Sequence, residues 1–162
     1  MLSHTMTKNQ KPPTPELGVL PSWLPMANRV VTWLQRRGLK TGTIHILTVP
    51  GRISGVPRTT PVSILEVDSI RYVIGGIENA DWVQNVRAGG WGILAHGRDQ
   101  EKVTLVELDV KDREPVLRAF PTEVPHGTQF FERVYGVEPT PDDFVGLADR
   151  CPVFRVQAAP EI

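Results

Sequence analysis

Between Thr43 and Asp109 the chain is a succession of short apolar runs broken by polar punctuation, a spacing that predicts strands. Thr43–Val49 is rich in Ile, Val and Thr, and Arg58–Glu66 and Arg71–Gly75 follow, joined by the turn-like link Val67-Asp68-Ser69-Ile70. Trp91–His96 and Glu101–Asp109 read as a hairpin across Gly97-Arg98-Asp99-Gln100. The second of these strands alternates, with Val103, Leu105 and Glu107 on one face and Thr104, Val106 and Leu108 on the other. Pro152–Gln157 is a closing strand. The helical period appears in Pro25–Arg37, where Met26, Val30 and Trp33 form one stripe with Ala27, Val31 and Leu34 beside it. Shorter helices are expected at Asp81–Ala88, with Asn79 or Asp81 as N-cap, at Asp112–Phe120 and at Gln129–Tyr135. Another starts at Thr140-Pro141-Asp142-Asp143. About six strands with short helices between them give an α+β, mainly β, fold class: a small barrel with helical decoration.

Composition adds boundaries to this pattern. The 162 residues suit one domain, and 40% hydrophobic content fills one core. Residues 1–22 carry four prolines and few large apolar groups, so they read as a flexible arm before a domain over 23–162. The net charge is zero, which removes any global field for nucleic acid. Charge is nonetheless uneven: residues 1–60 hold eight Lys or Arg against one acid, and the remainder ten against seventeen. A basic first third can face an anionic ligand, a membrane surface or its own acidic half. The Pro25–Arg37 helix accordingly has two readings, a plug on the barrel or a peripheral membrane contact; its short apolar face favours the plug. Cys151, the only cysteine, excludes an internal disulfide and precedes an apolar run, as a packed small hydrophobe would. With no apolar stretch of signal-peptide or membrane-span length near the N-terminus, the expected location is cytoplasmic.

The stretch that carries chemistry is Thr48–Pro61. Gly51 and Gly55 let the backbone turn sharply, and exposed N–H groups in such a turn can form an anion-binding concavity. Arg52 and Arg58 flank it, and Ser54, Thr59 and Thr60 add hydroxyls. The loop lacks the Gly-Lys-Ser/Thr ending of a Walker loop and joins two strands, which excludes a Rossmann fingerprint. A phosphate site and an ordinary hairpin with solvated arginines both fit these residues.

The run Gly51-Arg52-x-Ser54-Gly55-x-Pro57-Arg58-x-x-Pro61 resembles the signature of the deazaflavin (coenzyme F420)-dependent nitroreductase family, split β-barrels related to the flavin mononucleotide-binding barrels and including quinone reductases. The similarity continues through Tyr72–Gly76, Asp81-Trp82-Val83-x-Asn85-Val86, the Gly97-Arg98 turn and Pro152–Val156. This resemblance implies hydride transfer from reduced F420 to a nitro, quinone or other lipophilic acceptor, with flavin mononucleotide the less favoured cofactor. It implies that Gly51, Arg52, Ile53, Ser54, Arg58, Thr59, Thr60, Pro61 and Val62 grip the phosphate-bearing tail. Gly75, Gly76 and Ile77 would lie against the ring, and Trp82 and Asn85 would close the site. It also suggests a homodimer. Two features depart from the family pattern: Ile53 stands where many members have Lys, and the loop Gly75–Asp81 is short.

Other residues carry less. His4, His45, His96 and His126 lack metal-ligand spacing, and His45 and His96 read as barrel residues. Phe130, Phe131 and Tyr135 read as core packing, or as a substrate-side lid on which Tyr135 offers a proton. The competing function class is a non-catalytic barrel that carries a flavin-type cofactor or a lipophilic ligand.

Overall fold

The structure is a computed structural model that describes residues 43–160; the expected arm 1–22 and helix Pro25–Arg37 lie outside the described residues. Six strands are β1 (Ile44–Pro50), β2 (Pro57–Val67), β3 (Ile70–Ile74), β4 (Trp91–His96), β5 (Asp99–Glu107) and β6 (Val153–Ala158). They close in the order β1-β2-β3-β6-β5-β4, every pair antiparallel. Every strand sends apolar residues inward. Leu47, Val49, Val62, Ile64, Val73, Leu94, Val103, Leu105, Phe154 and Val156 form this interior. The expected small split barrel is thus present, with strand ends within a few residues of those read from the pattern.

Turn chemistry accounts for two of the connections. Asp68 and Ser69 both take positive φ, 52° and 65°, between the paired residues Val67 and Ile70. This is the primed geometry that matches the twist of flanking strands. The β4–β5 turn is tighter than the expected four residues. His96 already pairs with Asp99, so Asp99 and Gln100 belong to β5.

β2 explains where the barrel opens. Its residues 57–63 pair with β1, and only Ile64–Val67 pair with β3. Pro61 stands on the part without a β3 neighbour, where a missing N–H costs no ladder bond. Beyond Ile74 the chain leaves the barrel, so a gap flanks the first half of β2.

Helix α1 (Asp81–Gly89) closes the end of the barrel beside that gap. Val83 and Val86 are fully buried in the barrel core, with Ala80 and Trp82 packed against it. The N-cap residue is Ala80, which has no side-chain cap bond, so neither Asn79 nor Asp81 caps the helix. Glu107 ties α1 to β5 by accepting from Arg87 Nε at 2.8 Å and from Arg113 Nη2 at 3.2 Å. The Arg87 hydrogen bond holds the Glu107 carboxyl below its usual range.

Helices α2 (Glu114–Glu123), α3 (Thr128–Tyr135) and α4 (Pro141–Val145) build a second core against the barrel's outer face. Phe120, Phe131 and Phe144 sit there with ring centroids 5.1–5.4 Å apart. Thr140 caps α4 as expected, its Oγ1 accepting from the Asp143 N–H at 3.3 Å. Helix α2 starts two residues later than expected and includes Pro121.

Candidate functional site

The loop between β1 and β2 is closed on itself. The Gly51 N–H donates to Val56 O and the Gly55 N–H to Gly51 O, both at 2.9 Å. Gly55 has φ +72°, a conformation that side chains disfavour, although space for a Cβ exists there. The Val56 N–H donates to Ser54 Oγ at 3.2 Å, which leaves the Ser54 O–H proton available. The Arg52 N–H donates to Asn85 Oδ1 at 3.0 Å. Four loop N–H groups are therefore already bonded, those of Gly51, Arg52, Gly55 and Val56, so the cationic and hydroxyl side chains carry much of what the loop offers an anion.

The two arginines differ. Arg52 Nη1 donates to Asn85 Oδ1 at 2.9 Å, and Nη2 pairs with Asp81 Oδ1 at 3.2 Å. Asn85 is buried at 4% exposure on α1, so its amide fixes both the backbone and the side chain of Arg52. Arg58, opposite Val49 at the start of β2, is exposed and has no ion pair among the described residues. Both line one groove of about 380 Å³ with Gly51, Ile53, Ser54, Thr60, Asp81, Trp82 and Asn85. Thr59 does not line it, because neighbours on a strand face opposite ways.

A second cavity of about 380 Å³ occupies the gap beside β2. Pro61, Val62, Gly76 and Ile77 line it together with Ile74, Phe120, Phe130 and Phe131. Trp82 belongs to both cavities and is the wall between them, resting on Phe154 at a centroid distance of 6.0 Å. The two glycines have separate reasons. Gly75 lines neither cavity; a Cβ there would stand 2.9 Å from Pro152 Cγ and 3.0 Å from Val83 Cγ2. Gly76 lies under Phe130, whose Cε1 would be 2.3 Å from an added Cβ. Neighbouring side chains therefore fill the side-chain direction at both glycines.

Of the two readings of Tyr135, packing and a lid that offers a proton, its hydrogen bond agrees with the first. Its O–H donates to Gly76 O at 2.6 Å, and burial with the neighbouring Cys151 thiol pushes its pKa up to about 12. A hydroxyl so committed holds the wall of the second cavity. Cys151 is fully buried, and burial pushes its thiol up to about 11, an inert packed group as its sequence setting implied. His45 and His96 stack at 4.2 Å at the strand ends away from α1, beside the Arg71–Glu101 ion pair. Burial, more than the neighbouring His96 and Arg71 charges, lowers the His45 pKa. Among the described residues no group of His, Cys, Asp and Glu converges as metal ligands would, and no helix is long and apolar enough to cross a membrane.

Sequence reasoning missed Asp81 as a groove residue and Phe120 and Ile74 as cavity walls. Asp81 and Asn85 are four apart on α1, the spacing of one helix face, which was the available signal.

The sequence profile of the F420H(2)-dependent quinone reductase family matches residues 26–136. The chain belongs to this family. It is thereby an F420-dependent oxidoreductase, and the match spans the β1–β2 loop, α1 and every wall of both cavities. No curated protein matches the chain by sequence. Among solved structures, one described as a domain-swapped dimer is 22% identical with a TM-score of 0.50, covering 80% of this chain and 98% of that one. The Agrobacterium tumefaciens protein Atu2129, described as of unknown function, is 15% identical with a TM-score of 0.53, covering 88% and 58%. These two show the fold. A structure described as an F420-H2 dependent reductase is 21% identical with a TM-score of 0.49, covering 71% and 94%.

Proposed function

We propose that the protein reduces a lipophilic acceptor, a quinone or a nitro compound, with reduced F420. One observation carries this: a cationic groove and an apolar cavity of similar size meet at Trp82. An amphiphilic cofactor with a planar ring and a phosphate-bearing tail needs both. Arg58, without an ion pair among the described residues, offers its guanidinium to phosphate, and Ser54 and Thr60 add hydroxyl donors. Arg52, anchored by Asn85, adds positive charge at a fixed place. Gly76, Ile77 and Phe130 offer flat apolar surface beyond Trp82. The cofactor supplies hydride when bound; the residues present bind it, orient it and shield the ring from water. With Tyr135 committed to Gly76, the accompanying proton is assigned to solvent. We also propose a homodimer, a reading supported by the assembly named for one structural neighbour.

The test is titration with oxidised F420 followed by fluorescence, then turnover of menadione and of a nitroaromatic with reduced F420. Tight binding with turnover supports the reading. Binding without turnover of any acceptor supports a carrier. Light scattering gives a mass twice 18.0 kDa if the dimer forms.

A further inference from the structure

The cationic groove contains a charge that opposes its proposed ligand. Among its described lining residues Asp81 is the single acid, paired with Arg52 and sharing the groove with Arg58. We propose that Asp81 is an exchangeable counter-ion: it holds the Arg52 guanidinium until an anion arrives, and its charge limits how much negative charge the groove accepts. This inference rests on the reading of the groove as the phosphate site.

The two partners of Arg52 divide the work. Asn85 Oδ1, neutral and buried, accepts from both the Arg52 N–H and Nη1, so it fixes the guanidinium whether or not Asp81 is charged. Asp81 Oδ1 takes only Nη2, and its side chain is 91% exposed. Such a pair is screened and weakly held. An incoming phosphate can therefore take Nη2 while the edge held by Asn85 stays in place. The contrast with Glu107 is direct. That carboxylate is 28% exposed, grips two arginines and acts as a structural clamp. After exchange Asp81 still lines the groove, well inside one Debye length of the bound anion, and repels each added negative charge.

The experiment compares wild type, Asp81→Asn, Asp81→Glu and Arg58→Ala, with far-UV circular dichroism as the folding control. The probes are oxidised F420 and the phosphate-free deazaflavin riboside. Asp81→Asn is expected to tighten F420 about twofold to tenfold at low ionic strength. The gain should vanish near 1 M salt, where the Debye length is about 3 Å. The phosphate-free riboside should bind equally to both proteins, and Asp81→Glu should behave as wild type. Unchanged or weakened F420 binding by Asp81→Asn, with Arg58→Ala clearly weakened, overturns the role of Asp81 while leaving the phosphate site standing. Failure of wild type to bind F420, or full affinity in Arg58→Ala, overturns the phosphate site and this inference with it.

Discussion

The two cavities that meet at Trp82 are built in opposite ways. The cationic groove is nearly local: residues 51–60 supply one side and a single helical turn, Asp81–Asn85, the other. Its key atoms are held by named hydrogen bonds. The apolar cavity draws its walls from β2, from the segment after β3, from α2 and from α3. It is held by packing, with Tyr135 supplying the polar tie to Gly76. The first should be altered by single charges without harm to the fold. The second is continuous with a folding core, so its residues should affect stability before they affect binding.

The sharpest test of that contrast is Phe131→Ala. Phe131 is 4% exposed and packs on Phe120 and Phe144 while lining the apolar cavity. Urea unfolding should show a loss of about 3–5 kcal/mol. A loss below about 1 kcal/mol would show the cavity wall to be separable from the core. Next in size is Arg58→Ala. F420 affinity should fall tenfold to a hundredfold, since a charged hydrogen-bonding group contributes about 1.5–3 kcal/mol. The thermal midpoint should hold, because exposed substitutions change stability by about 0.5 kcal/mol or less. Arg52→Ala, by contrast, should cost both affinity and stability, its guanidinium being tied to Asn85.

Tyr135→Phe removes one hydrogen bond from the apolar side and should cost about 0.5–1.5 kcal/mol of stability. Turnover at saturating acceptor should stay within a few-fold. A loss on the order of a hundredfold would return the proton to Tyr135. The smallest effect is Ile53→Lys. Ile53 is 91% exposed at the groove rim, so an added cation is worth about 0.2–1 kcal/mol of cofactor affinity. No change in affinity would mean that the cofactor tail does not pass this residue.

The same contrast governs what could be read from the chain. The strands were legible because inward and outward residues alternate and because Asp68-Ser69 and Gly97 mark turns. Groove residues were legible because Gly51–Pro61 and Trp82–Asn85 are compact motifs. Ile74 and Phe120 were not, because they join Phe130 and Phe131 in one wall only through packing of the flanking helices. Asp81 was passed over for a simpler reason: a short acid at a helix start already has an explanation as an N-cap candidate. For Tyr135 the chain left packing and a lid both open, since the direction of its hydroxyl depends on the carbonyl of a residue 59 positions away.

Helix α1 faces two ways at once. Trp82 and Asn85 serve the cavities, while Val83 and Val86 are the cork of the barrel. The site therefore cannot loosen as an independent lid does, because lifting the helix uncorks the interior. Its amide protons should exchange with deuterium only as slowly as global unfolding permits, alongside those of β1 and β4. A ligand gripped by this helix should stabilise the whole barrel as one cooperative unit, with no separate melting of the site.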